Sequence, residues 1–207
     1  MKNLYLILTL MAITVTSVQA QQIGVGLKGG MNFPSVSAIG LDGASAFTTE
    51  GATGYHVGLF AKAKFAMIGV QPEFLYSFQR VQYQGVVGGV PTDIKQEVAY
   101  FTIPVMARIY LPLGINFQAG PQFGMPLSAQ QVIDNAGATD QTDIKDRMNS
   151  TDLGINLGLG IDLPFGLDIH GRYVIGVSDV NDASSAVDAV RNRMIQVSIG
   201  YSFFGND

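Results

Sequence analysis

Along most of this chain large apolar residues occupy every second position, the period of a β-strand and not of a helix. The pattern is clearest from Asp152 to Val177. Leu153, Ile155, Leu157, Leu159 and Ile161 alternate there with Gly154, Asn156, Gly158, Gly160 and Asp162. After Leu163-Pro164-Phe165-Gly166 the alternation resumes, with Leu167, Ile169, Tyr173, Ile175 and Val177 on one face and Asp168, His170, Arg172 and Gly176 on the other. The same rule predicts strands over Ile23 to Phe33, Tyr55 to Phe65, Ile68 to Tyr83, Glu97 to Tyr110, Ile115 to Leu127 and Arg193 to Phe204. The phase slips near Arg80-Val81, which predicts a bulge. Pro104 lacks a ladder donor, which predicts a local break in pairing.

Between these strands the connections alternate in length. Polar or glycine-rich stretches at Pro34 to Thr53, Gly85 to Ile94, Ser128 to Thr151 and Ser178 to Asn192 read as long loops. Ala66-Met67, Leu111 to Gly114 and Leu163 to Gly166 are tight turns. Strict long-short alternation over eight strands is the pattern of an up-and-down barrel. Its apolar face is aliphatic and aromatic, whereas the opposite face carries Gly, Asn, Gln and charge. That facing is wrong for a soluble carrier of the lipocalin kind, whose lumen is apolar, and right for a barrel that turns its apolar face to lipid. The expected fold is therefore all-β, an eight-stranded antiparallel up-and-down transmembrane β-barrel. Phe33, Phe65, Phe101, Phe123, Phe165, Tyr201 and Phe203 fall toward strand ends, as interfacial girdles do.

Composition supports this reading. Charged residues make up 14% of the chain, against roughly 25% in soluble domains. Residues 1–20 read as a cleaved signal peptide, with Lys2, an apolar run from Leu4 to Val15 and Val18-Gln19-Ala20 before the cut, which leaves 21–207 as the barrel domain. No cysteine is present, so no disulfide framework or lipid-anchored cysteine enters. No basic cluster points to nucleic acid.

The segments Gly26 to Phe33 (GLKGGMNF), Gly54 to Phe65 (GYHVGLFAKAKF), Val70 to Ser77 (VQPEFLYS) and Tyr100 to Pro112 (YFTIPVMARIYLP) carry a resemblance. So do Gln118 to Ala129, Leu157 to Tyr173 and Asn192 to Phe203. Together they resemble the PorT-like outer-membrane β-barrel proteins of Gram-negative bacteria over nearly the whole mature chain. The resemblance implies an integral outer-membrane barrel, with short turns in the periplasm and long loops outside, and contributes no catalytic residues. It also implies a structural or accessory role linked to secretion or surface interactions. One departure is the tail Gly205-Asn206-Asp207 after the final aromatic, where such barrels often end.

The candidate chemistry lies on the inward face. Lys28, Lys62, Lys64, Glu73, Arg108, Asp162, Asp168, His170 and Arg172 form a candidate interior ion-pair network, since eight strands leave a lumen just wide enough for side chains to fill. Lys62, Glu73 and Arg108 fall on successive strands, so Glu73 between those two cations is one arrangement the pattern allows. Gly24, Gly26 and Gly29 match G-x-G-x-x-G, but strand alternation runs through them and no helix follows, so no dinucleotide or other cofactor is expected. Asp134, Asp140, Asp143 and Asp146 lack calcium-loop spacing, and no metal site is expected. A lipid hydrolase needs a nucleophile and base within hydrogen-bond reach. His170 with Asp168 and Ser198 is the best such set, and it points inward at the wrong end; the protein is not expected to be an enzyme. A small pore or transporter is the alternative. The expected partners are outer-membrane lipid, the outer-membrane assembly machinery, and periplasmic or surface proteins.

Overall fold

The computed structural model describes residues 21–35, 48–87, 90–135, 138–145, 151–177 and 193–204. The signal peptide expected over 1–20 lies outside them. Nine strands form one antiparallel sheet: β1 (Gln21–Ser35), β2 (Thr48–Phe65), β3 (Ile68–Val87), β4 (Val90–Tyr110), β5 (Ile115–Asn135), β6 (Ala138–Asp143), β7 (Asp152–Asp162), β8 (Leu167–Gly176) and β9 (Arg193–Ser202). The sheet closes on itself. Each strand of the ring pairs with its chain neighbour, β5 pairs onward with β7, and β9 returns to β1 through Gly26↔Ser202 to Ser35↔Arg193. Eight strands make the ring, and β6 is a short ninth strand hydrogen-bonded to the upper part of β5.

The alternation in sequence is alternation of facing. Every second residue of β9, from Met194 to Ser202, is buried, and every residue between is exposed. The exposed set is apolar: Leu27, Leu59, Phe74, Phe117, Leu157, Ile199 and their neighbours face outward. The buried set is mostly polar, including Lys28, His56, Glu73, Arg108, His170 and Arg172. A soluble fold reverses this distribution; a barrel solvated by lipid requires it, because closure satisfies the backbone and only side chains meet the bilayer.

Three short turns close one end. Ala66-Met67 joins β2 to β3, with Ala66 at φ 50°. The other two repeat one motif, Leu-Pro-x-Gly. Leu113 and Phe165 sit at φ 65° in them, and the glycines that follow lie at φ 77° and 81°. Leu111 N–H donates to the Ile115 carbonyl at 2.8 Å, and Leu163 N–H to that of Leu167 at 2.7 Å.

At the opposite end the strands outrun the sequence expectation. The expected loop Gly85 to Ile94 is mostly strand, because β3 and β4 stay paired up to Val87↔Val90. Likewise β5 continues past Leu127 to Asn135, and β6 lies inside the stretch read as loop. The alternation that marked strands below is lost here because both faces meet water, so period-two patterning no longer reports them. For the same reason the phase slip near Arg80-Val81 is not a bulge in β3, whose register with β4 is unbroken there. The register shifts fall between Thr49 and Gly51 on β2 and at Ala99/Tyr100 against β5, where Ala99 faces Ser128 and Tyr100 faces Pro126. At Pro104 the expected interruption is present: the β3–β4 ladder passes from Pro72↔Val105 to Leu75↔Thr102 without a change of register. Pro121 interrupts the β4–β5 ladder beside it, between Pro104↔Gln122 and Ala107↔Ala119.

Candidate functional site: the polar lumen

The lumen is built from alternate residues of all eight ring strands, and glycine makes the space. A Cβ at Gly26 would strike the Phe60 ring, and one at Gly160 would lie against His170, Asn116 and Gln118. Glycine on one strand thus admits a long polar side chain from another.

Glu73 is the hub of the upper cluster and is fully buried. Its carboxylate accepts from Lys28 Nζ at 3.0 and 3.2 Å, Arg172 Nη1 at 2.8 Å and Nη2 at 2.5 Å, and Gln71 Nε2 at 2.7 Å. The structure therefore does not place Glu73 between Lys62 and Arg108. Glu73 pairs in register with Phe60 of β2, two residues from Lys62, and Arg108 lies four residues beyond Pro104 toward the short turns. Lys28 and Arg172 instead reach Glu73 from other strands.

Asp162 is the hub of the lower cluster. It accepts from Lys62 Nζ at 3.2 Å, Arg108 Nη1 at 3.3 Å and Asn116 Nδ2 at 3.0 Å. Arg108 Nη2 lies 3.1 Å from His170 Nε2, which also contacts Asp168. Gln118 Nε2 lies 3.0 Å from His170 Nδ1 and its Oε1 accepts from Arg172 Nε at 2.8 Å, so Gln118 joins the two clusters. With the proton on His170 Nε2 directed at Asp168, Nδ1 accepts from Gln118, and Arg108 Nη2 then touches Nε2 without a hydrogen bond. Lys64 stands apart, with its Nζ 4.4 Å from the centre of the Tyr110 ring. Of the nine residues singled out from sequence, eight thus lie in these two clusters and Lys64 at their edge. Sequence reading missed Gln71, Asn116 and Gln118, whose inward alternation was legible but whose cross-lumen partners were not.

A third group was also missed. Ser198 does not bond His170; its Oγ lies 2.8 Å from His56 Nε2, while His56 Nδ1 lies 2.8 Å from Asn32 Oδ1. This is the connectivity of nucleophile, base and orienting group. All three residues are at most 2% exposed, and Asn32 further bonds Ser77 and Gln196. With no room for a substrate at Ser198, the geometry supports a packing role for the group and not acyl transfer.

No group of three or more His, Cys, Asp or Glu among the described residues has the geometry to hold a metal ion. No helix among them is long and apolar enough to cross a membrane.

Residues 19–182 match the model of the outer membrane protein beta-barrel domain. The chain belongs to this family. Its place is the cell outer membrane. Among solved structures the barrel is similar to Ail, the attachment invasion locus protein of Yersinia pestis, at 14% identity and TM-score 0.51, over 90% of this chain and 100% of that one. It is similar also to Ail in complex with the heparin analogue sucrose octasulfate, at 16% identity and TM-score 0.52, over 88% and 99%. OprG from Pseudomonas aeruginosa aligns at 17% identity over 91% and 100%, with a TM-score of 0.45. At these identities the likeness is one of fold. No curated protein matches the sequence.

Proposed function

We propose that this outer-membrane barrel is a non-enzymatic surface and accessory protein of the PorT-like kind, with a plugged lumen and an extracellular wall that meets its partners. The observation that carries the reading is the unequal height of the strands. The ladder row that holds Asp152, where β7 begins, passes through Gly124 of β5 and Thr102 of β4 to Leu75 of β3. Beyond it β3 continues to Val87, β4 starts at Val90 and β5 continues to Asn135. Once round the ring this row falls from Asp152 to Asp162; allowing for that stagger, these strands stand about 30 Å higher along their own direction, at roughly 3.4 Å per residue. The wall is polar on its surface, with Arg80, Lys95, Gln130, Asp140 and Gln141 exposed, over a small core of Val98, Tyr100, Ala129 and Ile144. Among the described residues β6 pairs with β5 alone, so the wall ends in a strand edge of the kind partner strands use. The Ail complex with a heparin analogue supports a polyanionic surface ligand as one partner class.

Short turns of outer-membrane barrels face the periplasm, which places the wall outside the cell. An epitope inserted between Gly88 and Gly89 should be labelled on intact cells, and one within Leu111–Gly114 only after permeabilisation. Removing the wall from Arg80 to Glu97 should leave a heat-modifiable, folded barrel that no longer binds cell-surface polyanion. Retained binding would sink the wall as the contact surface. The pore reading predicts unitary current steps in a planar bilayer; the interlocked lumen supports a silent one. Insertion by the outer-membrane assembly machinery belongs to the same proposal.

A further inference from the structure

The short-turn end of the barrel holds a cation and two apolar tips that the lumen does not use. In this half of the lumen Lys28, Lys62, Lys64, Arg108 and Arg172 face Glu73, Asp162 and Asp168, an excess of positive charge. Glu73 takes Lys28 and Arg172, and Asp162 takes Lys62 and Arg108. No carboxylate of the described residues lies within 4 Å of Lys64 Nζ, and it rests over the Tyr110 ring. Lys62, Lys64, Gln22 and Asp162 line an open recess whose walls are the two Leu-Pro-x-Gly turns.

Those turns present Leu113 and Phe165 at 88% and 89% exposure. Both residues hold φ 65°, a conformation that favours Gly or Asn and disfavours bulky side chains. Chain geometry would be served better by a small polar residue, and among the described residues nothing covers the large apolar one at either tip. Leu111, Ile115 and Leu167, which flank the tips, are part of the outward face that meets lipid. The tips therefore continue the lipid-facing surface around the rim, beside Lys64, which pairs with no carboxylate among the described residues. An apolar chain that ends in an anion fits both features.

We propose that this mouth binds the phosphodiester headgroup of a phospholipid from the adjoining leaflet, with Lys64 holding the phosphate and Leu113 and Phe165 seated in the glycerol and acyl region. Asp162 does not oppose the anion strongly, because its charge is already shared by Lys62, Arg108 and Asn116.

The test is native mass spectrometry of the full-length refolded protein, loaded with phosphatidylglycerol and stripped by increasing collision energy. One lipid should be retained by the wild type and by Lys64→Arg, and the retained fraction should fall about fivefold in Lys64→Gln, the loss expected for one cation at a lipid surface. Leu113→Asn should also lower retention while the barrel stays folded, since Asn accepts the left-handed backbone. Heat-modifiability on gels reports folding for each variant. Equal retention by wild type, Lys64→Gln and Leu113→Asn overturns the site. Displacement of the lipid by inorganic phosphate supports recognition through the anion. Phosphate binding with no lipid retained overturns the lipid as its source. None of these outcomes depends on the surface role proposed above.

Discussion

Glu73 shows what one residue does when it is buried among opposite charges. Three side chains donate to its carboxylate, and two of them are cations with no exposed side-chain surface. Glu73→Gln would leave Lys28 and Arg172 without an anion in a site closed to water. The expected loss is about 3–5 kcal/mol, read as a lower urea midpoint for loss of the folded gel band. Backbone strain works at the same scale. Ala66 holds φ 50° in the tightest turn, and Ala66→Gly should stabilise by about 1 kcal/mol because glycine meets no steric cost there. Gly160→Ala has the opposite sign: the added methyl would press on His170, Asn116 and Gln118. It should destabilise by about 1–3 kcal/mol, and an unchanged urea midpoint would mean that those side chains are free to yield.

Facing is decided at the scale of the strand. Leu157 of β7 is 49% exposed and its neighbour Asn156 is fully buried, bonded to Gln122 at 3.1 Å. Leu157→Arg should therefore cost about 2–4 kcal/mol if it lies near the bilayer midplane. Barrel stability in vesicles checks this, and a silent Leu157→Arg would show that the face does not meet lipid. Strand pairing is weakest where the prolines cluster. Pro72, Pro104 and Pro121 lie on three adjacent strands where ladder pairs are skipped, whereas β1 and β9 pair without a gap from Gly26 to Ser35. Amide exchange in the folded barrel should be faster at Ile103, Val105 and Met106 than at 26–33, since removed donors leave local opening less opposed.

At the scale of the molecule, two solvents act on one sheet. Where lipid surrounds the ring, the outer face must be apolar and the lumen must satisfy its own polar groups, so both alternate in sequence and in space. Where β3, β4, β5 and β6 stand above the ring, water meets both faces and only a small core under the wall is buried. On the reading proposed above this division also accounts for function: lumen side chains bind one another, and recognition is left to the two ends. The proposed lipid site lies at one end and the proposed partner wall at the other.

The sequence by itself determined the number of ring strands, their direction of facing, the three tight turns and the set of inward ionisable residues. Each is local: a period of two, a turn of two to four residues, a charge on the polar phase. Tertiary structure decided which of those charges meet. Glu73 is 99 residues from Arg172 and Ser198 is 142 from His56, and no local rule gives the tilt and register that bring them together. It also decided where the strands end, because hydropathy reports a strand only while lipid is on one side of it. Above the membrane the β3–β4 and β5–β6 hairpins are held by backbone pairing, which needs no particular side chain and tolerates even Pro91 opposite Val86, and the chain carries no alternation to announce them.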